Sequence, residues 1–119
     1  KTARDSPELI CHEVLQSLPD PVYVIDRAFI LVYMNPAFQR WEQVVHPSGP
    51  GVGRSLFEVF PSLPETARAE YTRVFTKGEL IATRHARTIQ EETILTEIRK
   101  IPVRRGRTVV HVATIIRQV

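Results

Sequence analysis

The stretch TILTEIRKIPVRRGRTVVHVATII, residues 93–116, decides the fold. β-branched residues crowd both of its halves, and Arg105-Gly106-Arg107 interrupts them. This pattern predicts strands over Thr93 to Val103 and Thr108 to Ile116, joined by a tight turn. On strict alternation, Val110, Val112, Thr114 and Ile116 share one face of the second strand. Val109, His111, Ala113 and Ile115 share the other. Both rows are largely apolar, so the strand should be covered on both sides, by helices on one and by a leader helix or a second subunit on the other.

Working outward, Leu80 to Ile89 reads as a third strand of the same kind. Before it, Ala67, Tyr71, Val74 and Phe75 line one face of a helix that Gly78 ends, and Ser62 with Glu65 has capping-box spacing at its start. Ser55 with Glu58 repeats that spacing before a short turn over Leu56 to Phe60. Pro47 to Gly53, with its glycines and prolines, is a loop. Asn35-Pro36 opens a helix carrying Phe38, Trp41 and Val45 on one side, and Asn35 is its cap. Val22 to Ile25 and Phe29 to Met34 form a hairpin across Asp26-Arg27-Ala28. Ser6-Pro7-Glu8 starts a leader helix whose Cys11, Val14, Leu15 and Leu18 make one apolar stripe before Pro19-Asp20-Pro21 stops it. The expected architecture is α+β: a leader helix over 1–20, then a domain over 21–119 with a five-stranded antiparallel sheet and helices over one face.

Composition narrows the function. The 119 residues are 43% hydrophobic and 24% charged, ordinary for one packed domain and unlike a disordered or disulfide-stapled chain. The longest apolar run, Ala28 to Met34, is far short of the roughly 20 residues a membrane helix needs. A single cysteine and no signal-peptide pattern suggest a reducing, cytoplasmic setting. Lys1 in place of a starting methionine, with a strand pattern near the C-terminus, reads as a module of a longer protein. The net charge of +3 is concentrated in the second half, at Arg99, Lys100, Arg104, Arg105 and Arg107. The plain reading is a solvated hairpin tip; binding of phosphate or an acidic partner is the alternative, and nucleic acid lacks the interleaved aromatics it would use.

No catalytic constellation stands out. Cys11 falls on a packing stripe, and His12 beside it points elsewhere on the helix. His12, His46, His85 and His111 have no zinc spacing. Gly49, Gly51 and Gly53 precede no Lys-Ser or Lys-Thr, so they make no phosphate loop. A stand-alone enzyme would need a titratable cluster that these residues lack.

Four stretches resemble the PAS domain, the sensory module of many histidine kinases, cyclases, phosphodiesterases and transcription regulators. They are Leu15 to Asp26, Tyr33-Met34-Asn35-Pro36-Ala37-Phe38, Gly53 to Pro61, and Ile101-Pro102-Val103 with Gly106 to Val110. Where many members close the last strand with an aspartate, this chain has Gln118 and Val119. The resemblance implies a non-catalytic sensory or dimerisation module linked to an output domain outside this segment. It also implies a cavity between sheet and helices. Alternation assigns Tyr23, Ile25, Val32, Met34, Phe38, Trp41, Tyr71, Phe75, Val112, Thr114 and Ile116 to its lining, suited to a flat, partly polar molecule, although a dry core would use the same residues. A homodimer seam falls on Cys11, Val14, Leu15 and Leu18, over Val109, His111 and Ile115. The flavin-binding branch is marked by an asparagine-cysteine-arginine run that is missing here. Haem-binding members place a histidine on the long helix, which here has none. Neither cofactor is expected, nor is a metal; a ligand-free interaction module is the alternative, ahead of a haem sensor or a nucleic-acid-binding module.

Overall fold

A computed structural model describes residues 13–45, 51–61 and 63–119, apart from the side chains of 41–45, 87 and 89. The leader start at Ser6 and the stripe residue Cys11 lie outside the described residues, as does the Trp41 side chain. The chain runs α1 (helical at 13–17), β1 (Val22–Asp26), β2 (Leu31–Met34), α2 (Pro36–Val45), α3 (Leu56–Val59), α4 (Glu65–Lys77), β3 (Ile81–Ile89), β4 (Glu92–Arg105) and β5 (Thr108–Gln118). The strands form one antiparallel sheet in the order β2-β1-β5-β4-β3, with β5 at its centre.

Local chemistry explains most boundaries. Asp26 Oδ1 accepts the N–H groups of Ala28 and Ile30 at 2.9 and 3.0 Å, which turns the chain after β1. Phe29, expected in the second strand, sits instead in that turn with φ of 63°, so β2 begins two residues later. Ser55 caps α3 through the Phe57 N–H. The cap expected for α4 at Ser62 is corrected: Pro64 occupies the cap position without a side-chain bond, and Glu65 is the first helical residue rather than the third. Gly78 ends α4 at φ 69°, its N–H bonded to the Val74 carbonyl.

α4 lies along the helix-side row of β4, namely Ile98, Lys100, Pro102 and Arg104. Lys100 Nζ meets Glu70 Oε1 at 2.8 Å, and Arg104 Nη2 donates to the Gly78 carbonyl at 2.7 Å. The two ties match in length, since eight helical residues rise about 12 Å and four strand residues about 13 Å. Lys100, read from sequence as part of a solvated tip, is only 6% exposed.

Two bulges break strict alternation. Tyr23 pairs with Met34 and Val24 with Tyr33, but Ile25 pairs with Leu31, leaving Val32 as an extra residue. Likewise Val103 pairs with His111 but Arg104 with Val109, leaving Val110 extra.

Candidate functional site

Between sheet and helices the structure brings together Tyr23, Ile25, Met34, Phe38, Tyr71, Phe75, Val112 and Ile116, all buried in one cluster, with buried Thr114 beside them. Two cavity assignments do not follow. Val32 is 40% exposed, because the β2 bulge turns it outward and gives its inward place to Leu31. Trp41 lies on α2, with its side chain outside the described residues. Leu31, Leu56, Val59 and Val74 complete the cluster.

The described side chains of this interior pack against one another. The Tyr23 and Phe38 rings lie 5.1 Å apart, and Phe29 reaches in from its turn to pack near Tyr71, Phe75 and Phe57. Through this apolar mass runs one chain of hydroxyls: Tyr23 Oη to Tyr71 Oη at 2.5 Å, and Tyr71 Oη to Thr114 Oγ1 at 2.7 Å. Burial raises the Tyr23 phenol above its ordinary range and Tyr71 well above it, so both stay neutral. Among the described residues no buried side-chain polar atom lacks a hydrogen-bond partner. Such hydroxyls can donate and accept hydrogen bonds. Among the described residues no three His, Cys, Asp or Glu side chains gather as a metal site, and no helix is long and apolar enough to cross a membrane.

The opposite face of the sheet carries a second set. Pairing places Val24 and Tyr33, Ile101 and Val103, and His111, Ala113 and Ile115 there. Most are half-buried, and Val103 is 40% exposed. α1 borders this face: Gln16 Nε2 donates to Tyr33 Oη, and Asn35 Nδ2 donates to the Leu15 carbonyl. Val14 is 55% exposed, whereas Leu15 and Leu18 are half-buried. Val109 must be removed from the seam. It is 4% exposed in the core cluster, because the bulge at Val110 shifts it to the helix side while leaving His111 and Ile115 on the back. Farther along the same face Glu97 takes Arg99 at 2.8 Å and Arg84 at 3.3 Å, and the Arg99 hydrogen bond holds its carboxyl below the ordinary range.

This arrangement defines a class, a five-stranded antiparallel sheet with helices packed on one face and a half-buried apolar row on the other. The PAS fold family matches residues 15–119, and the chain belongs to it. Members of that family are in general sensory modules without catalysis of their own. Among curated proteins none matches. Among solved structures, the PAS domain of BvgS from Bordetella pertussis is 17% identical, with a TM-score of 0.69 over 92% of this chain and 84% of that one. A sensory box sensor histidine kinase from Vibrio cholerae is 15% identical, with a TM-score of 0.65 over 94% and 88%. An RNA-binding light-oxygen-voltage receptor is 20% identical, with a TM-score of 0.64 over 99% of this chain but only 36% of the receptor.

Proposed function

We propose that this PAS domain is a non-catalytic sensory module of a cytoplasmic signal-transduction protein and works by protein contact, two copies pairing through the back of the sheet and α1. The observation that carries this reading is the apolar row of the central strand: Ala113 and Ile115, with Val24 and Ile101 beside them, sit half-buried, Val103 on the same face is exposed, and so is Val14 on α1. Covering such a row removes apolar area from water, at roughly 25 cal/mol per Å². A shift in how α1 rests on Asn35 and Tyr33 would move the partner and, through it, a linked output domain. The size of that response is limited by how differently the partner or ligand binds the two arrangements.

The hydroxyl chain favours a second reading, in which a small, flat, partly polar molecule enters by opening the Tyr23, Tyr71 and Thr114 contacts. Sedimentation of the Val14→Glu, Val103→Glu variant tests the first. Both positions are exposed, so the fold should persist while the dimer is lost; an unchanged assembly mass sinks the proposed seam.

A further inference from the structure

Four cations gather where α4 ends: Arg27 after β1, Lys77 closing α4, Arg104 at the end of the helix-side row of β4, and Arg107 in the β4–β5 turn. With Phe75 and Val109 they line an open groove of about 340 Å³. Two are held in place. Arg27 Nη1 donates to the Val109 carbonyl at 2.7 Å, with its guanidinium 5.5 Å from the Phe75 ring centre, and Arg104 donates to the Gly78 carbonyl. Each such contact uses one of five guanidinium N–H donors and leaves the rest free to bind.

What marks this cluster is that four cations share one groove without counter-charge. Several cations elsewhere are paired, Lys100 with Glu70, Arg73 with Glu79, and Arg84 and Arg99 with Glu97, while Arg68 lies over the Phe57 ring. Among the described residues none of Arg27, Lys77, Arg104 and Arg107 lies within ion-pair distance of a carboxylate. The C-terminal carbonyls of α4 supply only about half a negative charge. The groove therefore keeps a surplus of positive charge.

We propose that this groove binds a small polyanion, a molecule with two or more phosphate or carboxylate groups held by the four cations. The planar forks of Arg27 and Arg104 suit oxyanions, and Lys77 and Arg107 add flexible charge. A single-stranded RNA would want exposed aromatic platforms, but Phe75 is 7% exposed. The groove lies on the helix side of the sheet and does not depend on the dimer reading. Occupied, it would pin the end of α4 to the β4–β5 turn.

The test is an amide-resolved NMR titration of the whole chain with inorganic pyrophosphate and with citrate at low salt. The amides of Gly78, Gly106 and Thr108 should shift saturably, with a Kd of about 1 mM or tighter. Arg107→Glu should weaken binding about tenfold, while Arg105→Glu, an equal charge change on the opposite face, should alter it less than about twofold. Unchanged spectra elsewhere confirm that each variant is folded. The proposal is overturned if neither anion gives saturable shifts up to about 10 mM, or if Arg105→Glu weakens binding as much as Arg107→Glu. Binding of single-stranded RNA at these amides without either small anion overturns it too.

Discussion

The carboxamide of Asn35 ties the start of β1 to the start of α2: its Oδ1 accepts the N–H of Val22 and of Phe38, each at 2.9 Å. The same side chain donates to the carbonyls of Asp20 and Leu15, at 2.9 and 3.3 Å, and it is fully buried. α1, the bend before β1, β1 itself and α2 therefore meet at one amide. Asn35→Ala should cost about 2–4 kcal/mol, because it removes a helix cap and orphans buried backbone groups. Urea denaturation checks this, and a loss below about 0.5 kcal/mol would mean that water replaces the amide without penalty.

Tyr71→Phe deletes the middle hydroxyl of the interior chain. Tyr23 and Thr114 then lose their shared partner, and stability should fall by about 1–2 kcal/mol. Because the folded-state phenols titrate above 10.0, their contribution is complete below that pH and lost as pH rises through the folded values. The variant should show a shallower alkaline loss of stability than the parent. Equal alkaline slopes in the two proteins would place the phenols in water.

Glu97 works in the opposite direction. Its folded pKa lies below the ordinary 4.5, first through the Arg99 hydrogen bond, so its contribution is present above 4.5 and vanishes as pH falls through the lowered value. Glu97→Gln should be less stable than the parent at neutral pH, with the two denaturation midpoints converging as pH falls through the lowered Glu97 value. A gap that stays constant with pH would show that the ion pairs contribute nothing measurable.

Gly78→Ala places a side chain at φ 69° and drives its Cβ into the Arg104 guanidinium. Arg104 can swing aside but then releases the Gly78 carbonyl. The expected cost is about 1–2 kcal/mol in thermal unfolding, and Gly78→Asn, which tolerates the left-handed region better, should cost less. Equal costs would assign the whole effect to side-chain bulk.

Much of this was legible in the residues. The order of strands and helices follows from periodicity, the Asn35 cap from Asn-Pro, and the end of α4 from Gly78. The errors at the sheet share one cause. Alternation assumes an unbroken register, and one extra residue at Val32 and another at Val110 each reverse the face of a neighbour, moving Val32 out and Val109 in. Neither position carries a glycine or a charge that would announce a bulge. Lys100 was misplaced for another reason: a lysine reads as surface unless its partner is known, and Glu70 lies 30 residues away in sequence.

Native mass spectrometry of the freshly purified chain tests the central claim most directly, because one spectrum reports both subunit number and retained ligand. Pairing through the back of the sheet without a retained ligand predicts a mass near twice 13.6 kDa with no additional component. A monomer across the micromolar range, or a dimer that carries a stoichiometric small molecule and loses it in Tyr71→Phe, would contradict it.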